Sequence, residues 1–227
     1  MNIVIAYNQP WYEKIADNIF KKNQKVKVFT ITDPSSLNEA VLEEIDPYYI
    51  FFPHWSYIIK EDIYSKYKCV IFHMTDLPFG RGGSPLQNLI SRGIYETKIS
   101  ALQCVKELDA GPIYLKKSYS LFGNAEEIYM RASDTIEDMI QYIIEFDPKP
   151  KPQQGEVVEF ARRTPEEGNI ENVEGLQEAF DYIRMLDAEG YPKAFVEVGN
   201  FIIEFERASL KKDHVHADVK IKLKEGK

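Results

Sequence analysis

Four short apolar runs, each followed by a stretch with helical or turn character, constrain this chain more than any other feature. Asn2 to Ala6, Val26 to Ile31, Tyr48 to Phe52 and Cys69 to Phe72 are rich in β-branched and aromatic residues and read as strands, the last buried on both faces. Trp11 to Lys22, Leu37 to Ile45 and Glu61 to Tyr67 read as the intervening helices, with Ile15, Ile19 and Phe20 on one side of the first. Such alternation implies right-handed crossovers and parallel pairing. The expected fold is therefore α/β: a Rossmann-like, mostly parallel sheet with helices on both faces. Lys98 to Val105 and Pro112 to Ser120 read as two further strands around a turn at Asp109. Ala125 to Phe146 is a long helix, with Ile128, Ala132, Ile136, Ile140 and Ile143 at helical spacing.

The pattern changes after Phe146. Residues 149–155 are proline-rich and read as a stiff linker between a domain over 1–148 and a small C-terminal α+β subdomain over 156–227. In the latter, Val173 to Leu186 reads as a helix. Lys193 to Val198 and Phe201 to Ala208 flank a hairpin turn at Gly199-Asn200, and His214 to Leu223 adds a strand. Apolar residues around Phe195 and Phe201 are the candidate contact of a homodimer.

Of the 227 residues, 44% are hydrophobic, enough for a sizeable core. The net charge of −8 disfavours a nucleic-acid partner, because phosphate contacts need clustered Lys and Arg. No apolar stretch is long enough to span a bilayer, so no membrane partner is expected. The opening residues MNIVIAYNQP read as a first strand, not a signal peptide, and a cytoplasmic location is expected. Cys69 and Cys104 are too few for a metal cluster or disulfide framework and read as buried thiols. His214 and His216 alternate on a strand without a third ligand, so no metal site is expected.

The chemistry concentrates in Phe72 to Ile90, FHMTDLPFGRGGSPLQNLI. His73 falls at the carboxyl end of a strand, where ligands bind in open α/β sheets. Pro78 and the glycines between Gly80 and Gly83 interrupt regular structure. Ser84-Pro85 then reads as a helix start, with a capping hydroxyl and a proline at the first helical position. Backbone N–H groups of such a loop suit an anion or a carbonyl oxygen. Taken alone, His73 would be an ordinary partly buried histidine and Asp109 an ordinary turn residue.

Taken together, His73, Thr75, Leu77-Pro78, Arg81-Gly82, Pro85 and Asp109-Ala110-Gly111 resemble the active-site motifs of the formyltransferases that use 10-formyltetrahydrofolate as co-substrate. Phe160 to Pro165 and Gly190 to Phe195 resemble enzymes that formylate a nucleotide-linked amino sugar, such as those of pseudaminic acid and other 4-amino-4,6-dideoxy sugar pathways. The resemblance implies N-formyl transfer to such a sugar, with His73 as general base and Asp109 supporting it. Trp55, Tyr57 and Ile58, with Leu108 and Gly111, are the expected pterin slot. Asn8, Trp11, Thr75 and Arg81 are the expected substrate contacts, Arg81 through its planar fork. Asn8 and Trp11 follow the first strand, with Tyr7 at the same edge.

One position departs from the family. Ile71 stands where these enzymes carry an asparagine that donates to the formyl oxygen. Losing such a donor costs about 10²- to 10³-fold in rate. The glycine-loop N–H groups, Thr75 and Asn88 are the substitutes the sequence offers. The alternatives are a folate- or nucleotide-binding protein with weak or lost catalysis, a hydrolase releasing formate, and a methionyl-tRNA formyltransferase-like enzyme. The short, acidic chain counts against the last of these.

Overall fold

The computed structural model describes residues 1–224. In chain order the elements are β1 (Asn2–Ala6), α1 (Glu13–Lys22), β2 (Lys27–Ile31), α2 (Glu39–Ile45), β3 (Tyr49–Phe52), α3 (Glu61–Tyr64), β4 (Lys68–His73), β5 (Phe79–Gly82), α4 (Pro85–Ile90), β6 (Glu96–Gln103), β7 (Ile113–Ser120), α5 (Ala125–Phe146), β8 (Val158–Phe160), α6 (Leu176–Met185), β9 (Ala194–Val198), β10 (Phe201–Leu210) and β11 (Val215–Leu223). They form two compact units. One comprises Met1–Gly82, Thr97–Tyr119 and Tyr129–Glu159; the other comprises Gly83–Glu96, Ser120–Ile128 and the chain from Phe160.

The first unit holds a six-stranded sheet in the order β2-β1-β3-β4-β6-β7. β2, β1, β3 and β4 are parallel, and β6 runs antiparallel to β4. The mostly parallel α/β sheet read from the sequence is present. Ile3, Val4, Ile5 and Ala6 are all fully buried, as a strand covered on both faces requires. Fully burying one such large aliphatic side chain is worth about 1.5–3 kcal/mol.

One face of the sheet is a cluster of Val4, Ala6, Ile50, Phe52, Cys69 and Cys104 closed by Leu37, Leu42 and Ile63. α2 is set in place by Asn38, whose side chain accepts from the Val41 N–H, and it ends on Asp46 in the left-handed region. α1 is fastened to α5 by Glu137, a buried carboxylate that accepts from Asn18 and Lys22.

The second unit contains a three-stranded antiparallel sheet, β11-β10-β9, together with α4 and α6. Phe201 pairs with Val198 and Leu223, which fixes the hairpin at Gly199-Asn200. The antiparallel C-terminal subdomain is thus as expected in kind.

Its boundary differs from the cut at 149–155. Lys151 makes an antiparallel bridge with Ile113, with N–H to carbonyl bonds in both directions, so the proline-rich segment belongs to the first unit. Proline stiffness describes the segment, but the unpaired edge at Ile113 recruits it. Helix limits also shift. Pro10–Tyr12 is a 3₁₀ turn ahead of α1, and α3 stops at Tyr64. The sequence presents β5 as loop. Glycines carry no strand propensity, yet Phe79–Gly82 pairs with β8.

Candidate active site

His73 is the last residue of β4, opposite Ser100 on β6. Strand alternation puts it on the same face as Cys69 and Ile71. Its ring is almost entirely buried, and both nitrogens face oxygen. Nε2 lies 2.7 Å from the Gly80 carbonyl, and Nδ1 lies 3.5 Å from Oδ2 of Asp109. A carbonyl can only accept, so the network assigns the hydrogen to Nε2 and leaves Nδ1 as the basic nitrogen of the neutral ring. A proton taken at Nδ1 would meet the Asp109 carboxylate.

Asp109 is buried in a turn at φ 51°, and its Oδ2 accepts from the Gly82 N–H at 3.0 Å. Gly82 itself sits at φ 107°, where a side chain would be strained. Gly111 leaves no room for any side chain: a Cβ there would fall 1.8 Å from the Gln103 carbonyl oxygen.

Gln153 completes the turn. Its Nε2 donates to the carbonyls of Asp109 and Gly111 at 2.7 and 2.9 Å, while its Oε1 accepts from Arg81 Nε and Nη2 at 3.1 and 2.8 Å. Gln153 lies in the segment that the sequence presents as a linker, so its type and position alone do not mark it as a site residue. Its signal in the sequence is a glutamine pair that ends a run of Pro and Lys.

Asp76, three residues after His73, is ion-paired with Lys116 and Lys98 at 2.5 and 2.9 Å. Partial burial works to raise its pKa, but those two cations hold it below the ordinary carboxylate value.

The structure therefore draws His73, Asp109, Gly111, Arg81 and Thr75 into one connected set. Two of them differ from expectation. Thr75 is fully buried, with its hydroxyl directed to the Gly80 carbonyl at 3.4 Å, so it lies beneath the site and presents nothing to a substrate. Arg81 is engaged by Gln153 and is not an uncommitted anion fork. Gly111 serves the turn through its lack of a side chain.

Three expected donors are occupied as well. The N–H of Gly82 goes to Asp109, and that of Gly83 goes to the Phe160 carbonyl. Asn88 Nδ2 goes to the carbonyls of Gly83, Ser84 and Ala161. Ser84 does not cap α4. It adopts φ 47°, and its Oγ accepts from the Arg163 N–H.

Tyr57, Ile58 and Leu108 are 51, 83 and 62% exposed. Trp55 packs against the apolar cluster that also receives Ile71, with ring centres 6.0 Å from Phe52 and 5.4 Å from Tyr57. Its indole nitrogen is buried and has no hydrogen-bond partner. Asn8 Oδ1 accepts from the Ser56 N–H at 3.3 Å and so joins the β1 edge to this loop.

Trp11 lies 6.0 Å, ring centre to ring centre, from His54, the residue before Trp55. It stacks on Tyr129 at 5.1 Å, beside Tyr12 and His54. His54, at φ 52°, lies within this aromatic group, and burial holds its pKa down to about 4. Burial also pushes the Cys104 thiol up to about 11, which makes it a poor nucleophile. Among the described residues, no group of three or more His, Cys, Asp or Glu is arranged to hold a metal, and no helix is long and apolar enough to cross a membrane.

Comparison with known proteins adds to this geometry. A family model for the C-terminal domain of methionyl-tRNA formyltransferase matches residues 165–222. The solved methionyl-tRNA formyltransferase from Clostridium thermocellum is 48% identical, with a TM-score of 0.96 over 99% of this chain and 100% of that one. The methionyl-tRNA formyltransferase of Francisella philomiragia is 28% identical over 75% of this chain and 58% of its own length. This chain thus spans little more than half of that curated relative. A sugar N-formyltransferase from a Shewanella species shares the fold, with a TM-score of 0.73 at 16% identity over 93% of this chain and 99% of that one.

Proposed function

Because the chain belongs to the formyltransferase family, we propose that it moves the formyl group of 10-formyltetrahydrofolate to a primary amine, and that the amine is that of methionyl-tRNA. The observation that carries the reaction class is the His73–Asp109 pair within a network that fixes the imidazole tautomer. The names of the two methionyl-tRNA formyltransferases above support the acceptor. They run against the expectation of no nucleic-acid partner and favour the tRNA alternative over the amino sugar.

The residues present fit the co-substrate. A flat pterin needs apolar side chains to lie against, and Tyr57, Ile58 and Leu108 are exposed, with the Trp55 ring 5.4 Å from that of Tyr57. When bound, 10-formyltetrahydrofolate supplies an electrophilic formyl carbon. The Gly80 carbonyl keeps the His73 hydrogen on Nε2, so Nδ1 receives the proton that the attacking amine sheds. Asp109 stabilises the imidazolium from 3.5 Å and is itself held by the Gly82 N–H and the Gln153 side chain. Ile71 packs on the apolar cluster and supplies no donor, so this site stabilises a formyl oxyanion less than an asparagine-bearing one.

A second reading, formylation of a nucleotide-linked amino sugar, is favoured by one observation: the chain carries a net charge of −8, which suits a small acceptor better than a polyanion. The two are separated by incubating the protein with 10-formyltetrahydrofolate and either methionyl-tRNA or a panel of nucleotide-linked amino sugars, with mass spectrometry of the acceptor. Formylmethionyl-tRNA is the expected product. Formylated sugar alone would replace the acceptor, and formate released without any amine would replace transfer by hydrolysis.

A further inference from the structure

The three-stranded sheet of the second unit has one face made wholly of apolar side chains. Register places Val198, Phe201 and Leu223 in one row, Val196, Ile203 and Ile221 in the next, and Ala194, Phe205 and Val219 in a third. In an antiparallel sheet such a face belongs against a core. Ala194 is indeed fully buried, but the cover falls away toward the β9–β10 turn and along β11. There Val198, Phe201, Val219, Ile221 and Leu223 are between 46 and 72% exposed.

The other face is the natural solvent face. Two of its lysines are matched with acids, Lys222 to Glu204 at 2.5 Å and Lys224 to Glu197 at 2.7 Å. Phe195, named from the sequence as a dimer contact beside Phe201, belongs to this opposite face, level with Glu204.

We infer that the apolar face is the contact surface for the same face of a second copy of this chain. The area fits. The five exposed side chains offer on the order of 500 Å², at the upper end of what monomers leave uncovered. The half-buried Val196, Ile203 and Phe205 and the rim extend this toward the roughly 800 Å² per partner of a standard interface. The charge pattern fits as well. No charged residue lies in the three rows, so two copies related by a two-fold axis meet without burying or opposing any ion. A face without a cation gives phosphate nothing to bind, which removes nucleic acid and anionic lipid as its occupants.

Sedimentation velocity over a concentration series tests the inference on the whole chain. The wild type is expected to be a dimer. Ile221→Lys is expected to raise the dissociation constant at least about 30-fold, as loss of one strong interface residue does. Lys220→Gln, on the opposite face, is expected to leave it unchanged. Far-UV circular dichroism and thermal melting verify the fold of each variant. If Ile221→Lys does not fold, Leu223→Lys, at the most exposed of the five positions, gives the reading instead. A monomeric wild type, or a dimer indifferent to the folded variant on the apolar face, overturns the inference.

Discussion

The two larger sheets of this protein use the same aliphatic residues to opposite ends. In the six-stranded sheet, Ile3, Val4, Ile5 and Ala6 are buried in unbroken succession, and His73 stands buried at the carboxyl end of β4. In the three-stranded sheet, apolar and polar residues alternate along β11, and the apolar set stays exposed. A run covered on both sides can hold a histidine nearly dry at its edge, where a carbonyl and a carboxylate act on it at low dielectric. An alternating strand offers a surface instead. The lesson is that the continuity of the apolar pattern, more than its amount, separates the sheet that buries a histidine at its edge from the sheet that leaves an apolar face exposed.

The first way to break this contrast is Ile5→Ala. A fully buried position in β1 should lose about 3–4 kcal/mol of stability by denaturant unfolding. A loss below about 1 kcal/mol would mean that this sheet is not the rigid support described.

Asp109→Asn comes next. It keeps the shape of the turn and removes the charge facing Nδ1, so turnover should fall about 100-fold with little change in melting temperature. Unaltered turnover would detach Asp109 from the reaction.

Acid should then distinguish His54. Burial holds its pKa near 4, against about 6.5 in the unfolded chain, so between those values the unfolded state binds the extra proton. Its contribution to stability is complete above about pH 6.5 and declines as pH falls toward 4, by about 2–3 kcal/mol. His54→Asn, which tolerates the left-handed backbone there, should flatten that part of the pH–stability curve relative to the parent. Curves of equal slope would place His54 in water.

Gln153→Ala should lower turnover about tenfold while KM moves little, because the side chain holds the Asp109 turn. A change confined to KM would make it a binding residue.

The smallest effect belongs to the second sheet. Ile221→Ala should alter the stability of the dissociated chain by less than about 0.5 kcal/mol, in contrast to Ile5→Ala.

Much of this architecture was legible because local pattern and tertiary role agree. Cys69 to Phe72 reads as a buried strand and is one. Ala125 to Phe146 carries helical spacing over its whole length, and α5 has the same limits. The His73 and Asp109 motifs were legible as residue types in order.

What escaped was set by partners distant in sequence. Phe79–Gly82 becomes a strand only because β8 pairs with it, and nothing in its four residues says so. Gln153 acquires meaning from carbonyls at 109 and 111, some forty residues earlier. Thr75, Arg81 and Asn88 read as available polar groups, and the fold spends each on an internal oxygen. Polar residues near a catalytic motif have two uses, and sequence alone does not apportion them.

The central claim is that His73 takes the amine proton during formyl transfer. The direct test is single-turnover formyl transfer from 10-formyltetrahydrofolate to methionyl-tRNA by the wild type and by His73→Ala, with folate binding measured on both. Transfer by the wild type, a loss of about 10³-fold or more in the variant, and equal folate binding are predicted. Comparable transfer by the two proteins would contradict it.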